Sequence, residues 1–150
     1  MERSQKGEMM LREHHGVWKT NQVVVELQTQ GTDVILERTR GYKQKKKSVF
    51  LQRRYLNDLN VGILTAILQQ PQYQLRDQVI VGMVDSGYGV ITIKWTPYWF
   101  GRANALMIDG GRGRCIAIEQ QDTASFAAWF CKQILALHNS DDLDDLDLAE

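Results

Sequence analysis

Between Arg38 and Arg54 the chain places eight bases and no acid: Arg38, Arg40, Lys43, Lys45, Lys46, Lys47, Arg53 and Arg54. Tyr42 and Tyr55 are interleaved with them. Cations along a groove neutralise phosphates, and an aromatic face stacks on a base for roughly 1–3 kcal/mol, so this mixture suits a single nucleic-acid strand. The segment Lys94-Trp95-Thr96-Pro97-Tyr98-Trp99-Phe100-Gly101-Arg102 sets four aromatics between two bases. Strand alternation cannot bury all four rings on one side, and Pro97 favours an edge or a loop. At least one of Trp95, Tyr98 and Trp99 is therefore expected at the surface, stacked on bases or packed against another subunit. Gly110-Gly111-Arg112-Gly113-Arg114 reads first as a β-hairpin tip, from which both arginines reach phosphate.

The net charge of zero hides a split. Six of the 18 acids (Asp141, Asp142, Asp144, Asp145, Asp147 and Glu150) fall in the last ten residues, interleaved with Leu143, Leu146 and Leu148. The preceding 140 residues carry 18 bases against 12 acids, a formal +6. A basic body with an acidic tail points to a polyanionic partner and to a tail that regulates access to it. The plainer alternatives are a solvated loop with a solubilising terminus and a structural oligomer that binds no nucleic acid and uses its aromatic patch for subunit packing. Uninterrupted like charge resists folding, so residues 139–150 are expected to form a disordered acidic tail.

Other chemistry is poorly represented. His14 and His15 are adjacent rather than at the i, i+4 spacing of a helical metal pair, and neither a Walker loop nor a nucleophile elbow occurs. Asp85, Asp109 and Asp122 sit at turn or cap positions where a structural role suffices. The expectation is a non-enzymatic chain without metal or cofactor. Cys115 and Cys131 lie in apolar patterns and read as buried reduced thiols. The polar N-terminus has no signal-peptide core, and no apolar run reaches membrane-span length, so a cytoplasmic or nucleoid-associated protein is expected.

The elements that must hold these residues appear twice. Gln22-Val23-Val24-Val25-Glu26-Leu27 lines up with Gln78-Val79-Ile80-Val81-Gly82-Met83. At a different constant spacing, Val49, Leu51, Leu59, Ile63 and Ile67 align with Ile116, Ile118, Phe126, Phe130 and Ile134. Each copy reads as strands closed by one amphipathic helix, so two copies can bury their apolar faces against each other. Residues 1–16 are expected as a flexible arm or extra strand, 17–138 as the duplicated domain, with repeats over about 17–70 and 77–138. The first repeat shows three clear strands, its fourth falling at Gly7–Leu11 or Val17–Thr20. Residues 39–47 read as a loop or projecting hairpin. Asn57 or Asp58 is expected to cap the first helix, whose stripe is Leu59, Ile63, Leu64 and Ile67, and Asp122 or Thr123 the second. The second helix is expected to fade at His138-Asn139-Ser140. The fold class is α+β, with helices packed on antiparallel sheet.

Two stretches carry a likeness to a known architecture. Lys47-Ser48-Val49-Phe50-Leu51 followed by Leu59 and Ile63, and Ile116-Ala117-Ile118-Glu119 followed by Thr123-Ala124-Ser125-Phe126-Ala127, resemble the ends of the two units of the Whirly family and of the related positive-cofactor-four coactivators. The resemblance covers about residues 17–138. It implies a duplicated ββββα fold and single-stranded nucleic-acid binding with little base preference, by a symmetric homo-oligomer such as a dimer or tetramer. The partner is then single-stranded DNA or RNA, in replication, recombination or repair, or in RNA binding and transcription regulation. The tail looks like those of replicative single-strand-binding proteins, which implies that Asp141 to Leu148 recruit a partner enzyme.

Overall fold

The computed structural model describes residues 11–41, 45–97 and 103–149, with side chains as far as residue 139. In chain order the elements are β1 (Glu13–Lys19), β2 (Val23–Gln30), β3 (Asp33–Arg40), β4 (Lys45–Gln52), α1 (Leu56–Leu68), β5 (Val79–Asp85), β6 (Val90–Pro97), β7 (Asn104–Asp109), β8 (Cys115–Glu119) and α2 (Thr123–Ala149). They form two four-stranded antiparallel sheets, ordered β1-β2-β3-β4 and β5-β6-β7-β8. The fold is α+β, a ββββα unit written twice. The fourth strand of the first unit is β1, so Val17–Lys19 lies in it.

The structure corrects one of the two repeat alignments. Matching Gln22–Leu27 to Gln78–Met83 pairs β2 with β5, the second strand of one unit with the first of the other. The spacing that joins Val49 to Ile116 and Leu59 to Phe126 does pair β4 with β8 and α1 with α2. The false match has a simple cause: β2 and β5 are both valine-rich runs after a glutamine, and β1 is too polar to compete. β1 and β5 instead share a backbone feature, a register shift between His14 and Val17 and between Ile80 and Gly82.

Each sheet turns one face to a single continuous core. Trp18, Val25, Leu27, Val34, Leu36, Val49 and Leu51 line it from the first sheet; Ile91, Ile93, Trp95, Leu106, Ile108, Ile116 and Ile118 line it from the second. The period of two along each strand is what selects these side chains. From α1 come Leu56, Leu59, Ile63 and Ala66; from α2 come Phe126, Ala127, Phe130, Ile134 and Leu137. Leu64 of the expected stripe is 40% exposed and Ile67 half-buried, because the buried face runs through Leu56 and Ala66 instead.

The helices are exchanged between the units. α1 packs on β5 and β6 of the second sheet, where the Trp95 Nε1 donates to the Ala66 carbonyl at 3.0 Å. A Cβ on Gly62 would run into Ile93 Cδ1, so this glycine lets helix and sheet approach closely. α2 packs on β1, where Trp18 Nε1 donates to Ser125 Oγ at 3.0 Å and the Trp18 and Phe126 rings meet edge to face at 5.2 Å.

The expected cap of α1 is displaced, whereas α2 starts at Thr123, directly after Asp122. α1 begins at Leu56 after a 3₁₀ turn over Arg53–Tyr55, and its N-cap Tyr55 makes no side-chain bond, so Asn57 and Asp58 lie inside the first turn. Thr123 follows a second 3₁₀ turn, and its hydroxyl donates back to Gln120 O at 2.8 Å instead of accepting from a free amide. The final difference is at the end of the chain. α2 runs on to Ala149, past the expected stop at Ser140 and through the segment expected to be disordered. Leucine and aspartate alternate there without glycine or proline, so nothing in the segment breaks a helix already nucleated upstream.

Candidate nucleic-acid interface

The basic segment is a hairpin, not a loop. β3 runs to Arg40 and β4 starts at Lys45, in the register Arg38 to Lys47, Thr39 to Lys46 and Arg40 to Lys45. Lys45, Lys46 and Lys47 are exposed on β4. Alternation puts Lys46 on the face with Ser48 and Phe50, away from the core, and Lys45 and Lys47 on the other. Lys46 Nζ lies 3.8 Å from Glu37. Tyr42 and Lys43 lie outside the described residues.

Several of the expected contacts are engaged elsewhere. Arg38 is 8% exposed, since its strand position turns it to the core side beside Val25, and it leaves the surface set. Arg40 is half-buried. The half-buried Arg53 donates from Nη2 to Leu137 O at 3.1 Å and ties the first unit to the last buried turn of α2. Arg54 is exposed, with its guanidinium 4.7 Å from the Tyr55 ring centroid. Lys94 pairs with Asp109 at 3.2 Å and is only 15% exposed, so its charge is largely matched. Trp95 is 1% exposed, with its indole N–H satisfied by α1. It is a core residue and has no face for a base, because Ile91, Ile93 and Trp95 share the inward side of β6. Tyr98 and Trp99 lie outside the described residues. Of the tail, from Asp141 to Leu148, only the helical backbone is described.

Arg112 and Arg114 stand exposed on the hairpin between β7 and β8. Its turn is closed by Gly110 N to Arg114 O at 2.8 Å and by Gly111 N to Asp109 Oδ1 at 2.8 Å. Gly111, Arg112 and Gly113 all have positive φ, at 84°, 54° and 78°. Arg112 is the one non-glycine residue so placed among those described, a conformation that costs a side chain of this kind about 1 kcal/mol or more. Arg114 reaches across to the first unit, where its guanidinium stands 5.6 Å from the Phe50 centroid. Arg12 stands 5.8 Å from the same centroid. The two basic hairpins therefore meet at β4, which also packs against β8.

Phe50 and Arg12 are not prominent in the sequence. The readable signal is alternation, since a strand that buries Val49 and Leu51 must turn Phe50 outward. Around it the outer face is polar and paired. Arg12 donates to Gln28 Oε1 at 3.2 Å and lies 3.5 Å from Glu37, and His14 Nδ1 is 2.8 Å from Glu26 Oε2. Burial pushes the Glu26 carboxyl up, but hydrogen bonds from Gln28 and His14, with the charges of His14 and Lys46, outweigh it and hold its pKa below the ordinary 4.5. A second joint links the units: Gln52 N donates to Ser86 O at 2.8 Å, and Tyr88 donates its hydroxyl proton to Asp33. That bond to a carboxylate raises the Tyr88 pKa.

Both cysteines are free and half-buried rather than fully buried, and Cys131 Sγ lies 3.5 Å from Asn60 Oδ1 between the two helices. Among the described residues no three His, Cys, Asp or Glu side chains are grouped closely enough to hold a metal ion. No helix among them is long and apolar enough to cross a membrane. No protein-family model matches the chain, and no curated protein matches it either, so a reading of its function rests on this geometry.

Proposed function

We propose that the chain binds single-stranded DNA, without catalysing a reaction on it, as a Whirly-like protein of replication, recombination or repair. The observation that carries this is the convergence of two basic hairpins: exposed Lys45, Lys46 and Lys47 on β4, and exposed Arg112 and Arg114 from the other unit, with Arg114 resting on β4. Phosphate contacts of this kind supply affinity without reading sequence. RNA of the same single-stranded form is the nearest alternative.

The test is a titration of labelled single-stranded DNA, duplex DNA and single-stranded RNA at several salt concentrations. Single strands of differing sequence should bind alike, each phosphate contact adding about −0.7 to the log–log salt slope. Changing Lys45, Lys46 and Lys47 together to Ala should weaken binding to all sequences and leave thermal stability nearly unchanged, since all three are exposed. Tighter binding to duplex, or affinity indifferent to salt, would defeat the proposal.

A different observation favours self-association beside this activity. Val61, Leu64 and Leu68 on α1 and Val79, Ile80 and Met83 on edge strand β5 are all at least 40% exposed, and Val61 and Met83 line a groove between helix and strand. Exposed apolar side chains gathered about a groove mark a surface suited to interaction. A homo-oligomer in light scattering that dissociates on Val61→Asp is the expected result. Dispersed monomers in the unmutated protein would leave this surface without that role.

A further inference from the structure

We infer that Phe50, framed by Arg12 and Arg114, is the position on which one base of the bound strand stacks; this rests on the single-strand reading above. Phe50 is half-buried on the outer face of β4, directly opposite Ile35 in register. Ile35 points to that same outer face, yet it is fully buried. The ring stands against the sheet over this apolar floor, with a guanidinium 5.8 Å and 5.6 Å from its centroid. Two cations near one ring mark a π-face rich in electron density, the feature that bases and guanidinium planes both seek.

The surrounding charge orients the strand. Glu26 and Glu37 face each other in register on the outer side of the sheet. Arg12 and Lys46 reach Glu37, and His14 reaches Glu26, so among the described residues the cations in the middle of the face are matched by carboxylates. The rim differs. Arg114 has no carboxylate partner among the described residues. The charge-matched centre offers a phosphate little, while Arg114 at the rim attracts it, which leaves the base to turn inward onto the ring. Arg114, exposed and without a carboxylate partner among the described residues, is the side of the frame that turns from ring to phosphate as the base enters. Arg12, held by Gln28 and Glu37, stays as the fixed side of the slot.

The experiment uses the full chain and oligothymidylate as the probe. Ultraviolet cross-linking of the unmutated protein, followed by peptide mapping, should place an adduct at Phe50. Phe50→Leu, which keeps apolar cover over Ile35 but has no ring, should weaken binding about tenfold, the loss of one stacked base. Phe50→Tyr should bind as the unmutated protein does. Arg114→Ala should lower the salt slope by about 0.7. An adduct mapped only elsewhere, or Phe50→Leu binding undiminished while the unmutated protein binds well, would overturn the stacking position and leave the single-strand reading standing. Absence of binding by the unmutated protein would overturn both.

Discussion

At the scale of single residues, burial separates roles that residue type alone leaves together. Trp95 and Phe50 are both aromatics near bases in the sequence, yet one is sealed under α1 and the other faces water. Trp95→Ala should therefore destabilise the fold by about 3–5 kcal/mol, seen as a large fall in the denaturant midpoint. Any affinity that the folded fraction shows should be normal; a stable variant with weakened DNA binding would contradict the core assignment. Glu26 gives a prediction for acid. Its folded pKa lies below the 4.5 of the free side chain, so its contribution is present above that value and is lost as pH falls through the lower, folded one. Glu26→Gln should flatten the decline of stability as pH falls below the ordinary carboxylate range, and an unchanged acid limb would refute this. The lysines of β4 are legible as a charged cluster, but no sequence rule shows that Arg38 and Arg53 turn inward. Their fate depends on strand register and on a carbonyl within α2, 84 positions from Arg53.

At the scale of elements, periodicity is a good guide wherever one face is buried. Six of the eight strands follow from alternation and turn chemistry: the patterned runs 23–28, 34–38, 79–84, 90–95, 105–108 and 115–119 lie within β2, β3, β5, β6, β7 and β8. β1 and the first half of β4 are obscured for one shared reason. Edge strands exposed to water carry polar residues on both faces, so the period of two disappears from Glu13–Lys19 and from Lys45–Lys47. The acidic terminus is the element whose form departs most from expectation, as a continuation of α2. Its formal charge of −6 opposes the +6 of the rest, and the last described side chain of α2 that is buried is Leu137. Deleting residues 141–150 should raise affinity for single strands, most at low ionic strength where screening is weakest, without lowering the melting temperature. Equal affinity with and without the segment in dilute salt would remove competition and leave a role in docking a partner enzyme.

At the scale of the whole molecule, the two units are bound by more than a shared core. α1 belongs to the first unit by sequence and to the second by packing, and α2 is placed the other way round. Residues 1–76 alone should therefore show an unstructured chain by circular dichroism, because their sheet lacks its covering helix. Residues 77–150 alone should do the same, and mixing the two should restore the native spectrum. Independent folding of either half would show that the exchange is dispensable. The last part of the linker is free of the core: Arg76, Asp77 and Gln78 are exposed, after Leu75 has packed against the core and Asn104 has fastened Tyr73 and Leu75 to the second unit. Its contribution is thus one of effective concentration, which a short tether holds in the millimolar range. A protease site opened between Arg76 and Asp77 would leave the fragments clasped through their traded helices. The cut protein would elute as one species, and its melting temperature would begin to depend on dilution, as that of a two-chain complex does.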